Sequence, residues 1–467
     1  MFEVNPIAIE LGKVFENAGY ELALVGGAVR DLLLKRPDVD LDFTTNARPD
    51  DIEKILSKYC DDMWSVGKKF GTIGGKKDGM QVEVTTYRTD EYDSNSRKPL
   101  VKFGDTLEAD LSRRDFTVNS IALRLPSLEL VDPFGGISDM GAKILKTPID
   151  PELSFSDDPL RMMRAVRFVS TLGFDIEPET AGAILNERNR MQIVSKERIR
   201  DEFTKLILSD NPRPGIEALV DSGLVDYVFP ELADLQMAID PAHHHKDVYE
   251  HSIKVLENAI AYEGKKEFDD IKSPDLELRL AALLHDIGKP QTRRLLSGGK
   301  VTFQMHDLVG ARIAKKRLRV LHYSNDVISN VTKLIELHMR FYGYGDQEWT
   351  DSAVRRYVHD AGNMLSRLHI LTRSDVTTQN TKKMQRILFA YDDIMQRIDK
   401  LKEKEEFEKI RPELNGYEIM QILDLKPGPE DGPKIGKAYD FLLNYRLENG
   451  PIGKEKTKQI LLDNFTR

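Results

Sequence analysis

Apolar positions in the first 150 residues alternate over short spans broken by turn residues, and farther along they recur mostly at helical spacing. Residues 21–25 read as a strand running into Gly26-Gly27, where missing Cβ atoms let backbone N–H groups approach a phosphate at the start of a helix. Arg30 then falls one turn into that helix, facing the phosphates. In residues 39–43, Val39, Leu41 and Phe43 alternate with Asp40 and Asp42, so a strand would bury one face and offer two carboxylates on the other. Residues 81–88 alternate in the same way with Glu83 on the polar side, a candidate third carboxylate or else a solvated or structural strand glutamate. The run Asp157-Asp158-Pro159 opens a helix, with carboxylates over the positive end of its dipole. Arg161, Arg164 and Arg167 then recur every three residues, across roughly 120° of one face, with Met162, Met163 and Val166 mostly elsewhere to pack.

These patterns divide the chain into an α/β head over 1–150, a helical neck over 151–235, a helical body over 236–400 and a helical tail over 401–467. Everything past 235 reads as helix and loop. Residues 264–274 are mostly polar, a loop, and Ser297-Gly298-Gly299 marks a turn.

Length fits about three domains, since 467 residues at roughly 150 each give that number. No run of eighteen apolar residues occurs, and the first residues lack the basic-then-apolar order of a signal peptide, so neither a membrane span nor secretion is expected. Cys60 is the sole cysteine, which excludes an intrachain disulfide and points to a reducing cytoplasm. The formal charge of −9 argues against a uniformly basic coat, yet two local clusters could follow a phosphate backbone. One spans 161–205; the other is Arg312, Lys315, Lys316, Arg317 and Arg319. For the second, an ordinary solvated basic face is an equal alternative.

Paired carboxylates beside a glycine turn suit metal-dependent nucleotidyl transfer, because two Mg²⁺ ions on Asp40 and Asp42 could activate a hydroxyl and neutralise a departing pyrophosphate. Four motifs in order carry a resemblance: Gly26 to Asp31 with Asp40 to Thr45, Arg113 to Ser120, Asp132 to Gly136, and Asp157 to Phe168. Together they resemble the class II tRNA nucleotidyltransferases, the CCA-adding enzymes related to bacterial poly(A) polymerases. The resemblance implies a DNA polymerase β-like head, and substrates tRNA, CTP and ATP, with no membrane and no obligate protein partner. It implies catalysis by Asp40 and Asp42 with Mg²⁺, and nucleotide binding by Gly27, Arg30, Arg114, Asp158, Arg161, Arg164 and Arg167. Asp158 and Arg161 would present an acceptor and a donor fork to a base edge, and Asp115 would brace Arg114 from behind. Asp157 departs from the glutamate usual in the family.

In the body, His251, His285-Asp286, His306, His338 and Asp375 resemble an HD metal-dependent phosphohydrolase domain, with the apolar helix 278–284 leading into His285. Imidazole and carboxylate donors suit a second divalent transition metal. His251, His285, Asp286 and Asp375 are the ligands this implies, with His306 and His338 as further members; His243-His244-His245 reads as a solvated loop. Two other assignments stay open: a poly(A) polymerase, and an HD phosphohydrolase whose head binds RNA. The tail holds 12 Lys+Arg against 13 Asp+Glu, so it lacks the basic character that processive binding of generic RNA favours.

Overall fold

The computed structural model describes residues 4–36, 41–91, 100–236, 248–297, 301–341, 344, 349–377, 380–404 and 410–465. Two compact units result, Met1–Pro230 and Glu231–Arg467. The expected boundaries near 150 and 400 each fall inside one of them.

Among the described residues of the first unit eleven strands follow in chain order: β1 (Leu22–Val25), β2 (Leu41–Thr45), β3 (Asp62–Trp64), β4 (Thr72–Lys77), β5 (Met80–Thr86), β6 (Arg88–Glu91), β7 (Leu100–Phe103), β8 (Ala122–Leu125), β9 (Leu130–Val131), β10 (Ile144–Leu145) and β11 (Asp175–Ile176). Seven of these make one sheet in the order β3-β4-β5-β2-β1-β8-β9, while β6 and β7 pair separately and β10 and β11 form a short parallel pair, the latter within the neck expected to be helical. β1 is buried along its whole length, as a central strand covered on both faces must be. β2 lies antiparallel to β1 and parallel to β5, with Leu41 and Phe43 buried and Asp42 exposed, so the alternation read from sequence holds from 41 to 43, while Thr44 and Thr45 are both buried. Asp40, with residues 37–39, lies outside the described residues.

Helix Leu160–Leu172 buries Met162, Met163, Ala165 and Val166 and packs against helices Lys196–Ile207 and Arg213–Asp221. It starts one residue after Pro159, and Asp158 Oδ1 accepts from the Leu160 N–H at 3.2 Å. Asp157 instead ends the preceding helix, Pro151–Asp157.

The second unit is built around helix Leu276–Leu284, in which every residue from Leu278 to Leu284 is buried. A helix buried on all sides must be surrounded, and helices Val248–Tyr262, Asn325–Leu337 and Leu365–Ser374 pack against it. Its first turn is fixed by Asp275, which accepts from Leu278 N–H at 2.8 Å, and by a buried two-bond Arg279–Glu263 pair at 2.8 and 2.7 Å. One departure from the all-helical expectation is a short hairpin, Arg294–Leu295 with Val301–Thr302; two-residue strands carry too little alternation to read from sequence. Helices Gly416–Leu423, Gly432–Asn449 and Lys454–Phe465 share a separate small core of Leu414, Ile419, Ala438, Leu442 and Leu461.

Candidate nucleotidyl-transfer and metal centres

The first candidate centre sits at one end of the β1–β2–β5 sheet. The register Leu24↔Phe43 brings Gly26 to the same strand end as Asp42, and the parallel register Asp42↔Glu83 sets the two exposed carboxylates side by side. Gly26 adopts φ +69, and a Cβ there would lie 2.9 Å from Nη1 of Arg114. Glycine is required twice over, for the left-handed backbone and for the guanidinium lying across it. Gly27 begins helix Gly27–Leu33.

What holds Arg114 in place corrects the sequence expectation. Its Nη2 donates at 3.0 Å to Asp110, not to Asp115. Asp110 is fully buried and also accepts from Arg113 at 2.7 and 3.1 Å and from the Thr44 hydroxyl at 3.3 Å. Burial alone would raise its pKa, but the adjacent Arg114 and Arg113 guanidinia override that and hold it at about 2. The spacing was visible: Asp110, Arg113 and Arg114 stand at i, i+3 and i+4 at a helix end, a local ion-pair pattern.

Asp115 serves a different arginine. Its Oδ2 takes two hydrogen bonds from Arg164, at 2.7 and 2.5 Å, while Oδ1 accepts from Asn119 at 2.9 Å. Burial raises the Asp115 pKa and Arg164 more than reverses it, to about 2. Asn119 Oδ1 in turn accepts from Arg30 at 2.7 Å. Arg30 is buried, engaged by Asp31 at 2.9 and 2.6 Å and set over the Phe168 ring at 5.3 Å. Farther along the neck helix, Arg167 donates to the buried Glu202 at 2.6 Å. A chain of paired groups therefore runs from Asp31 through Arg30, Asn119 and Asp115 to Arg164, with Glu202 beyond it. Residues 30 to 202 converge here, so no short window of sequence could show it.

Arg161 is 6% exposed and donates to the Ser154 hydroxyl at 2.7 Å and to the carbonyl of Arg113. Asp158 instead accepts from Arg198 at 3.2 Å. The arginine row is thus three anchored guanidinia, not a solvated helix face.

The second centre lies in the second unit, where the resemblance expected it. His251, His285 and Asp375 form one group and Asp286, His306 and His338 another, the candidate ligand atoms of each lying within 4.8 Å of one another. His251 Nε2 is 2.9 Å from Asp375 and 3.5 Å from Asp286; His306 Nε2 is 3.3 Å from Asp286 and 3.2 Å from His338 Nε2. Asp286 thus touches both groups, with Lys289 at 2.5 Å. His243, His244 and His245 lie outside the described residues.

Three of the four rings are oriented alike. Nδ1 of His285, His306 and His338 meets the carbonyl three residues earlier, Ala282, Phe303 and Ile335, at 2.9, 2.8 and 2.6 Å. A carbonyl can only accept, so Nδ1 carries the proton and Nε2 is turned inward as a ligand. His251 differs, with its Nδ1 3.1 Å from the Thr377 hydroxyl. The buried Nε2 of His285 lies 3.3 Å from Asp286 and 3.6 Å from Asp375 without hydrogen-bond geometry to either, a place between carboxylates that a cation would satisfy. Burial pushes His285 down, but Asp286 and Asp375 outweigh it and raise its pKa to about 10. Burial and the neighbouring His285 lower His338 to about 4. Two buried carboxylates thus demand positive charge, and this nitrogen-and-oxygen donor set fits a divalent transition metal. The two groups close on each other through glycine: a Cβ on Gly288 would lie 2.2 Å from the His306 carbonyl oxygen and 2.6 Å from Gly310 N.

Comparison with known proteins places Asp42, Glu83, Arg114 and the whole second centre in matched segments, while Asp158 and the arginine row Arg161, Arg164 and Arg167 fall between two of them. A model described as the Poly A polymerase head domain matches residues 22–146, one described as a probable RNA and SrmB-binding site of polymerase A matches 173–236, and an HD domain model matches 248–401. An A-adding tRNA nucleotidyltransferase of Deinococcus radiodurans is 33% identical over 417 residues, covering 88% of each chain. A CCA-adding enzyme of Geobacillus sp. strain WCH70 is 40% identical over 236 residues, 50% of this chain and 57% of its own length. Among solved structures, the Bacillus stearothermophilus CCA-adding enzyme in complex with CTP superposes at TM-score 0.68 with 24% identity and 98% of both chains covered. The Thermotoga maritima CCA-adding enzyme complexed with tRNA_CCA gives 0.60 at 18% identity, covering 98% of this chain and 96% of its own. At these identities the structural likeness concerns the fold.

Proposed function

Since this chain belongs to the class II tRNA nucleotidyltransferases, the CCA-adding enzyme family, and carries an HD domain, we propose that it adds CMP and AMP from CTP and ATP to tRNA 3′ ends, releasing pyrophosphate. The observation that carries this reading is the exposed Asp42 at the strand end where Arg114 lies over Gly26. In the proposed reaction the 3′-oxygen bonds to the α-phosphorus as the bond to the β-phosphate oxygen breaks, without a nucleic-acid template. Mg²⁺ bound by Asp40 and Asp42 would supply charge neutralisation and activation of the hydroxyl. Glu83 stands where it could assist them. Arg114, fixed by Asp110, binds the triphosphate together with backbone N–H groups from Gly27 onward; Arg30, Arg164 and Arg167 keep the pocket wall positive and rigid. Asp158 and Arg161 read the base edge, which requires Arg161 to exchange a present acceptor for the base.

The HD centre, with a divalent transition metal on His251, His285, Asp286, His306, His338 and Asp375, is assigned a separate phosphohydrolase activity. Sole Cys60, and the absence among the described residues of any helix long and apolar enough to cross a membrane, support a cytoplasmic location.

One observation favours a second reading. The relative matched over 88% of both chains is named for adding A alone, whereas the Geobacillus relative named for adding CCA matches over about half. Incubating the protein with tRNA lacking its 3′ end, and with labelled CTP and ATP singly and together, decides the matter. Sequential C, C and A addition supports the first reading. Extension only of tRNA already ending in CC supports the second, unlimited A tails a poly(A) polymerase, and phosphate release without label transfer an HD hydrolase alone.

A further inference from the structure

We propose that one face of helix His306–Val320 is a docking surface for the phosphate backbone of the RNA substrate, laid along the route to the HD centre. The inference rests on tRNA being the substrate, as proposed above. Arg312, Lys315, Lys316 and Arg319 stand at i, i+3, i+4 and i+7, which places all four within about 100° of one helix face. All four are exposed, and among the described residues none has a carboxylate within ion-pair distance. The opposite face holds Gly310, Ala311, Ala314 and Leu318, buried against the rest of the unit. Arg317 points off the stripe and is paired with Glu231 at 2.7 and 3.2 Å, so the helix commits to internal pairing the one basic residue that the stripe does not use.

Charge and position name the occupant. The chain as a whole carries −9, yet residues 308–323 contain five Lys and Arg and no Asp or Glu. Asp326 and Glu336 on the neighbouring helix are exposed, and neither forms an ion pair with the stripe. An exposed row of like charges that repel one another contributes nothing to folding, while it suits a polyanion. The same helix begins at His306, a member of the metal cluster. At about 1.5 Å per residue the stripe runs from about 9 to about 20 Å along the axis from that residue. A backbone held on it extends over several phosphates and leads toward the centre, which a small nucleotide could not do.

The test uses the full chain with Arg312→Gln, Lys315→Gln, Lys316→Gln and Arg319→Gln combined, and reads the binding of tRNA lacking its 3′ end between 50 and 200 mM salt. Each neutralised phosphate adds about 0.7–0.9 to the log–log salt slope, so removing four cations should flatten it by about 3, or roughly 60-fold less weakening of affinity across that range. Arg312→Lys with Arg319→Lys keeps the charge and should keep the slope. Because all four side chains are exposed, the melt should stay at the wild-type value, and addition of CMP and AMP at saturating tRNA should persist. A folded variant with wild-type slope and affinity overturns the proposal, as does one that keeps RNA binding but loses an acidic protein ligand. Wild-type protein that binds tRNA with the steep slope yet adds no nucleotide would sink the proposed function instead and leave the surface standing.

Discussion

Asp110→Asn removes one negative charge while preserving shape, and the structure sets the size of its effect. The native carboxyl is held at about 2 against an ordinary 3.8, a difference worth about 2 kcal/mol in favour of the ionised form. A depressed carboxylate stabilises the fold above its unfolded pKa, and that contribution disappears as pH falls from about 4 to about 2. At pH 7 the substitution should therefore cost about 2–3 kcal/mol. The cost stays below the 3–5 kcal/mol of a fully buried broken pair because Arg113 and Arg114 keep side-chain exposures of 21% and 22% and can turn to water. Freed from Asp110, Arg114 should leave its place over Gly26, raising KM for CTP and ATP by the same factor, since the triphosphate is common to both. Urea titration at pH 7 and again at pH 3, with initial-rate kinetics on both nucleotides, measures these effects. Wild-type stability at pH 7 together with an unchanged steepness of acid unfolding would refute the electrostatic argument. A KM rise confined to one nucleotide would refute the placement of Arg114.

Asp42→Ala should abolish addition of both nucleotides with the melt within about 0.5 kcal/mol of wild type, because the side chain is exposed; near-normal transfer would end its metal assignment. Arg161→Ala should lower discrimination between CTP and UTP about tenfold to a hundredfold, from loss of a charged hydrogen bond worth roughly 1.5–3 kcal/mol. It should also lower the melt, since Ser154 and the Arg113 carbonyl lose their donor; intact discrimination with weakened tRNA binding would move Arg161 to an RNA-contact role. Thr377→Val should weaken binding of Mn²⁺ or Ni²⁺ at the HD centre by roughly tenfold to a hundredfold, as loss of a partner that orients a ligand does, with Thr377→Ser restoring it; calorimetric titration giving wild-type affinity for the valine variant would show that His251 needs no hydroxyl to orient it.

What sequence revealed and what it hid divide along chain separation. The strand 41–45, its inward Leu41 and Phe43, the helix before His285 and the helical arginine row all follow from period-two or near-3.6 patterns within a dozen residues. The partners of those arginines do not. Asp115 and Arg164 are 49 positions apart, and Arg167 and Glu202 35. Pattern marks Arg164 and Arg167 as sharing a face, but only folding decides whether that face meets nucleotide, carboxylate or water. Asp110 is the instructive middle case, since its partners lie three and four residues away. The resemblance drew attention to the acid following the two arginines, where the acid preceding them does the holding. At the HD centre, His306 and His338 are separated by 32 residues and become equal members of the cluster only when helices Leu276–Leu284, His306–Val320 and Asn325–Leu337 are assembled.

The approach of Gly288 to Gly310 bears on how such domains should be compared across genomes. With 2.2 Å between a notional Gly288 Cβ and the carbonyl of His306, an alanine there must push apart the two segments that deliver Asp286 and His306. A copy of the domain could then keep every histidine and aspartate and still bind no metal. Inventories that score activity by donor residues alone would count it as intact, so Gly288 belongs in the diagnostic set alongside the six donors.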